Sequence, residues 1–227
     1  MTVPRPDSEV EPMISRKSSY LLLLFLLGTA LTAQVAVHRV LRPPPGAAVA
    51  LVVFEDLQCP DCKRASPLLE EAARAYKIPL VRHDFPLPKH NWSFDAAVFA
   101  RFFDTKSKEM GEEFRAYIFQ NQEQVARETL RGFAEQFAAA HKVALPFAVD
   151  PRGELAKQVK ADYALGQAIN IQHTPTIYVV SNKESGTPFV EVVDRSNLYA
   201  LIDKMKREAQ PVASTASKNT KKSSTPE

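Results

Sequence analysis

Val49-Ala50-Leu51-Val52-Val53-Phe54-Glu55-Asp56-Leu57-Gln58-Cys59-Pro60-Asp61-Cys62 changes character twice along its length. The run Ala50 to Phe54 is apolar, long enough for a buried parallel strand and too short for a helix. Beyond Cys59 the apolar positions take a new period: Ala65, Leu68, Leu69, Ala72, Ala73 and Tyr76 fall at i, i+3, i+4, i+7, i+8 and i+11, one face of a helix. Pro60 suits the first helical position, because the donor that proline lacks would be unpaired there anyway. The spacing therefore predicts a strand that delivers Cys59 to a helix N-terminus, where free amides and the positive end of the dipole favour a thiolate. Cys62 falls on the same side one turn deeper, so the two sulfurs can meet.

These are the only cysteines in 227 residues, so neither has another partner within the chain. A redox-active dithiol fits the strand, the helix start and the spacing. An inert local disulfide would close too small a loop to constrain the unfolded chain much. A structural zinc site needs four ligands and would have to recruit scattered histidines such as His83 and His90, whose spacing does not recommend it.

The hydrophobic fraction of 45% is that of a globular chain, and a net charge of +3 gives no case for nucleic acid. Residues 1–19 are polar and end in Arg16-Lys17-Ser18-Ser19. Residues 20–37 carry no charge and open with Leu21 to Leu27 almost entirely leucine. This segment is near the lower length limit for spanning a bilayer and also resembles a long signal-peptide core. Ala30 and Thr32 match a cleavage site poorly, which favours an uncleaved membrane anchor over a cleaved signal. Either way the cysteines are expected in an exported compartment where disulfides persist. Residues 38–46 form a proline-rich linker whose Pro43-Pro44-Pro45-Gly46 reads as a stiff spacer. Residues 47–209 form the domain, and residues 210–227 read as a disordered basic tail.

Within the domain, Ile78 to Phe85 is a second strand candidate stopped by Pro86 and Pro88. Ser93 is placed to cap a helix carrying Phe94, Ala97, Val98 and Phe102, and further helical runs surround Phe114 to Phe119 and Val125 to His141. Phe133, Phe137 and Ala140 are spaced for one buried face, and the phenylalanine stripe reads as core. Asp150 to Gly153 forms a turn before a helix over Glu154 to Ile169. A strand Ile177 to Val180, a polar hairpin loop and a strand Phe189 to Val193 follow, and Ser196 is placed to cap a last helix. The order predicts an α/β domain with a helical insertion over about residues 93–170.

Phe54-Glu55-Asp56-Leu57-Gln58-Cys59-Pro60-Asp61-Cys62 resembles the F-x-D-x-Q-C-P-x-C segment of DsbA-like thiol-disulfide oxidoreductases of the thioredoxin superfamily. Pro67 falls where thioredoxin-fold helices commonly carry a kinking proline. Phe85-Pro86-Leu87-Pro88 with His90 resembles the stretch preceding that family's helical insertion, and Thr174-Pro175-Thr176 matches its T-P-T loop. The resemblance runs from about Val49 to Ala209 and implies a thioredoxin-like fold, with Pro175 cis and beside the active disulfide. Many relatives place a further strand before the one leading to the cysteines, and Arg39 to Gly46 leaves little room for it. Asp61 stands where strongly oxidising DsbA proteins carry histidine, which predicts a weaker oxidant, because a carboxylate disfavours a nearby thiolate.

The resemblance implies a protein thiol-disulfide oxidoreductase, in the direction of an oxidase, an isomerase or a reductase, in which Cys59 is the accessible sulfur and Cys62 the resolving one. No cofactor is expected beyond the Cys59–Cys62 disulfide itself. The partners expected are thiol-containing or disulfide-bonded client proteins, held at Thr174 and Pro175, and a separate protein that resets the pair. Pro60 and Asp61 belong to the active-site turn. Glu55 and Asp56 are candidates for a proton acceptor near Cys62, with ordinary solvated loop residues as the alternative. His173 either tunes the thiolate or stands by. The competing function is a membrane-tethered binding module or assembly factor that holds unfolded chains, its disulfide incidental.

Overall fold

The computed structural model describes residues 40–211. In chain order its elements are β1 (Val49–Glu55), α1 (Pro60–Tyr76), β2 (Leu80–Asp84), α2 (Ser93–Asp104), α3 (Lys108–Asn121), α4 (Leu130–Ala140), α5 (Glu154–Ala168), β3 (Thr176–Ser181), β4 (Phe189–Glu191) and, after a 3-10 turn at Arg195–Asn197, α6 (Leu198–Glu208). The stretches at 1–19 and 20–37 and the tail beyond 211 lie outside the described residues. Among the described residues no helix is long and apolar enough to cross a membrane.

Strand β1 is buried at every position, as a continuous apolar run between two covering layers must be. It pairs in parallel with β2, placing Leu51 opposite Leu80 and Glu55 opposite Asp84. On its other side it pairs antiparallel with β3, which pairs antiparallel with β4, giving the order β2-β1-β3-β4. Side-chain alternation divides the strand between two cores. Val49, Leu51 and Val53 pack with Ala65, Leu69 and Ala72 of α1 and Leu198, Ile202 and Met205 of α6. Ala50, Val52 and Phe54 pack with Phe85, Ile171 and Tyr178, and with Tyr163 and Leu165 of α5. Val40 and Leu41 are buried in this second core, so the chain is already part of the folded unit before its prolines. Among the described residues no strand pairs with the outer edge of β2; Pro43, Pro44 and Pro45 line a surface hollow there with Val81 and His83.

Helices α2 to α4 form a third core in which phenylalanine is the commonest residue. Phe103 lies 4.6 Å from Phe114 and 4.9 Å from Phe137 between ring centroids, within the range of favourable aromatic pairs. This core includes Leu57, Cys59 and Cys62. The insertion thus sits directly on the cysteine end of the sheet layer.

The structure departs from the sequence expectations at several helix ends. Ser93 does not cap α2; Trp92 is the N-cap residue, and the Ser93 hydroxyl donates instead to Asp56. Ser107 caps α3, accepting from the Met110 amide at 3.0 Å. The buried face of α4 is Leu130, Ala134, Phe137 and Ala138, with Phe133 half-buried and Ala140 exposed, because α4 meets the phenylalanine core one position further round than expected. Asp194, not Ser196, caps the C-terminal turn, its carboxylate accepting from the Ser196 amide at 2.9 Å. Strand β4 ends at Glu191, and Val193 is 88% exposed.

Gly166 marks a close approach of α5 to the sheet. A Cβ there would stand 2.5 Å from the Phe85 ring and 3.1 Å from that of Phe54. Phe85 is itself clasped, stacked on Tyr163 at 4.6 Å and edge-on to Phe54 at 6.2 Å. Gly166→Ala is expected to destabilise the fold by about 1–3 kcal/mol through overpacking, measured as a lower urea midpoint; an unchanged or higher midpoint would show that α5 can move away freely.

Candidate active site

Cys59 occupies the N-cap position of α1 with extended backbone angles, φ −78 and ψ 120, and Pro60 is the first helical residue. Both cysteines are free thiols. As a thiol, Cys59 Sγ donates to the Thr174 carbonyl at 3.2 Å, so the loop at the start of β3 lies against the Cys59 sulfur; the Thr174–Pro175 peptide is cis. Gln122, at the end of α3, donates from its side chain to the carbonyls of Leu57 at 2.9 Å and Cys59 at 3.1 Å. It thereby fixes the turn leading into α1.

The two thiols are driven in opposite directions. A hydrogen bond from Cys62 lowers the Cys59 thiol to about 5, against the opposing effect of burial; Thr174 and the backbone of Cys62 and Asp61 add to the lowering. Burial pushes the Cys62 thiol far up, and the Cys59 sulfur beside it adds to the rise. The Asp56 amide donates to the Cys62 Sγ at 3.4 Å. At neutral pH Cys59 is a thiolate and Cys62 a thiol.

Glu55 and Asp56 are not solvated loop residues: they are 3% and 1% exposed. Asp56 is saturated by donors, from the Gln58 amide at 2.7 Å, the Leu87 amide at 2.7 Å, His90 Nδ1 at 2.7 Å and the Ser93 hydroxyl. It clamps the loop between β2 and α2 onto the end of β1. Gln58 reinforces the clamp, accepting from the Trp92 amide at 3.0 Å. Glu55 differs. One carboxylate oxygen accepts from Arg82 at 2.7 Å, and the other, Oε1, is buried without a hydrogen-bond partner, 3.8 Å from Arg115 Nε. Burial raises the Glu55 carboxyl above its ordinary range despite Arg82 and Arg115 nearby, and its charge acts on Cys62. Of the two acidic candidates, Glu55 retains a free oxygen.

Arginines that the sequence reading did not single out hold this acid in place. Arg82 of β2 also reaches Glu70 of α1 at 2.8 Å and Glu112 of α3 at 2.5 Å. Arg115 of α3 faces Asp104 at 3.2 Å, Asp84 at 3.5 Å and Glu55 at 3.8 Å. Arg101 pairs with Asp84 at 2.5 Å and with Asp162. The signal for Arg82 was present in the sequence, since a charge in mid-strand between Val81 and His83 demands a buried partner. Gln122 and Arg115 carried none, because polar residues on a helix look alike until its buried face is known.

The remaining candidates separate cleanly. Asp61 accepts from Arg195 at 2.7 Å and Arg64 at 3.1 Å, which hold its carboxyl below the usual range against the effect of its burial. Lys63 pairs with Glu123 at 3.1 Å. His173 is exposed, and only its carbonyl is engaged, by the Thr176 hydroxyl at 2.7 Å. His83 and His90 each place Nδ1 on a carboxylate, Asp162 at 2.9 Å and Asp56 at 2.7 Å.

A protein family described as thioredoxin matches residues 44–204. No curated protein matches the chain. The thiol-disulfide exchange protein alpha-DsbA2 from Wolbachia pipientis is similar in structure at 16% identity and a TM-score of 0.58, over 78% of this chain and 94% of that one. The catalytic domain of Proteus mirabilis ScsC is similar at 18% identity and a TM-score of 0.59, over 77% and 97%. A periplasmic thioredoxin-like protein from Salmonella enterica serovar Typhimurium is similar at 20% identity and a TM-score of 0.56, over 74% and 95%. At these identities the likeness is one of fold.

Alkylation of reduced protein reports the thiol asymmetry directly. Because only the thiolate reacts, the Cys59 rate is expected to climb through an inflection at about pH 5 and to be flat at neutral pH, while Cys62 stays unmodified in the folded protein. Cys62→Ala, which removes the strongest donor to Cys59, is expected to move the inflection upward. An inflection near the ordinary thiol value of about 8.5 in the parent protein would refute this electrostatic picture.

Proposed function

The chain belongs to the thioredoxin family, and from that premise we propose that it is a protein thiol-disulfide oxidoreductase, exported from the cytoplasm, that passes disulfides from Cys59–Cys62 to client proteins. The opposed ionisation of Cys59 and Cys62 at a helix N-terminus carries this reading. A thiol that is stable as thiolate makes its disulfide a strong electron acceptor, since the reduced form is favoured. The likeness in fold to thiol-disulfide exchange proteins supports the same chemistry. The uncharged segment 20–37 and the likeness to a periplasmic protein support an extracytoplasmic, membrane-tethered placement.

The cycle follows from the geometry. A client thiolate attacks Cys59 Sγ, the Cys59–Cys62 bond breaks, and Cys62 leaves with the electron pair and takes a proton. Glu55, buried and raised, is the acid that supplies it. A second client thiolate then attacks the client sulfur of the mixed disulfide and expels Cys59, a good leaving group because it is stable as thiolate. The client gains one disulfide and the pair gains two electrons. Thr174 and Pro175 seat the client beside Cys59 through backbone hydrogen bonds, which give affinity without sequence choice. With no third cysteine in the chain, a separate redox protein must withdraw the electrons.

Equilibration in glutathione buffers, read by mass after thiol alkylation, tests the reading. The pair is expected to titrate near or above about −180 mV, and the Cys59→Ser, Cys62→Ser double variant is expected to lose all oxidative refolding of a reduced client. A potential near about −270 mV would make the protein a reductase instead, and full activity of the double variant would leave only a binding module.

Glu55→Gln keeps an oxygen for Arg82 but cannot carry the proton. It is expected to slow the step that forms or resolves the mixed disulfide by about tenfold to a hundredfold at neutral pH, with Cys59 alkylation unchanged. Single-turnover rates equal to the parent's would remove Glu55 from the mechanism.

A further inference from the structure

Asp61 is an awkward residue for its position. It lies in the turn between the cysteines, and an uncompensated carboxylate there would work against the Cys59 thiolate. It is also part of the first turn of the helix that carries both sulfurs. Its surroundings decide how far that charge acts on the nucleophile.

Arg195 settles that question from far along the chain. Its Nη2 donates to Asp61 Oδ1 at 2.7 Å and its Nη1 to the Asp61 carbonyl at 3.5 Å, so one guanidinium holds both the side chain and the backbone of the turn. Arg64 adds a second contact to the same oxygen at 3.1 Å, but from a side chain that is 66% exposed and only one turn away on the same helix. The Arg195 side chain is 34% exposed and projects from the turn that Asp194 caps just before α6. A planar guanidinium with two contacts fixes orientation as well as charge, which a lysine cannot do.

We propose that Arg195 is a positioning residue of the redox site: it cancels the Asp61 charge and fixes the Asp61 side chain and carbonyl within the turn that carries Cys59 and Cys62. The proposal rests on the oxidoreductase reading for its purpose. Its geometry does not depend on that reading, because it concerns the ionisation of one thiol. The charged groups facing Asp61 are Arg64 from its own helix and Arg195 from the turn before α6, and those facing Cys59 are Cys62 and the polar groups of Thr174 and the turn.

A double-mutant cycle on the reduced full-length protein tests it, with thiolate absorbance at 240 nm and Cys59 alkylation rates followed against pH. Arg195→Gln is expected to raise the Cys59 inflection, slowing alkylation at pH 5 by about threefold to tenfold while leaving the rate at pH 9 unchanged. Asp61→Asn combined with Arg195→Gln is expected to recover most of that loss, since no charge then remains to cancel. Arg195→Lys, which keeps the charge and loses the two-point grip, is expected to fall between the parent and Arg195→Gln. An Arg195→Gln inflection equal to the parent's, or a double variant no better than Arg195→Gln, overturns the proposal. If Arg195→Gln does not fold, the Arg195→Lys titration decides alone, and an unshifted inflection there overturns it. Failure of the oxidoreductase reading would appear separately, as a parent protein whose disulfide does not cycle with glutathione.

Discussion

Two guanidinium groups, those of Arg82 and Arg115, stand almost without water where the sheet meets the helical insertion. Their carboxylate partners come from β1, α1, β2, α2 and α3, so a single charge lattice ties together elements that are distant in the chain. Burial works against both arginine charges, but the surrounding carboxylates hold the protons more tightly than usual. Such a lattice adds little net stability compared with an apolar core, but removing one member leaves a buried charge unpaired, which typically costs about 3–5 kcal/mol. Its effect here is to fix where the insertion sits, and the insertion covers the cysteines.

From that fixed frame the chemistry follows by short steps. The end of β1 presents Glu55 and Asp56 side by side, and the two acids diverge because one is saturated by donors and the other keeps a bare oxygen. The start of α1 presents Cys59 to free amides and places Cys62 in the apolar core beneath. A difference of one helical turn therefore becomes an opposed ionisation of the two sulfurs.

The strand–helix junction was fully legible in the sequence, because a period of apolar residues that switches at Cys59 admits one structure. So was the order of elements. The cap residues were not: Ser93 and Ser196 are good cap residues by type, but Ser93 is drawn to Asp56 and Ser196 sits one residue inside a turn that Asp194 already caps. The site was legible to the extent that it is local. Cys59, Pro60, Asp61 and Cys62 lie in one turn and could be placed together, and Thr174-Pro175 was placed by its resemblance to a known loop. Arg195 stands 134 residues from Asp61 and Gln122 stands 63 from Cys59; such pairings are made by packing, and no spacing in the chain announces them.

Because both cysteines belong to the insertion's core, the redox couple and the folding equilibrium share one thermodynamic cycle. The contacts that favour the Cys59 thiolate exist only in the folded chain. A thiol lowered to about 5 on folding, against about 8.5 when unfolded, gives the reduced form stability that is fully present above the unfolded value and is lost as the pH falls through about 5. The oxidised form has no thiolate to stabilise. In the proposed direction of transfer, a disulfide handed to a client would leave the donor's reduced form with this added stability, which contributes to the difference in potential between donor and client. Under that proposal the fold acts as a spring, set when the pair is reoxidised and released by its own tightening.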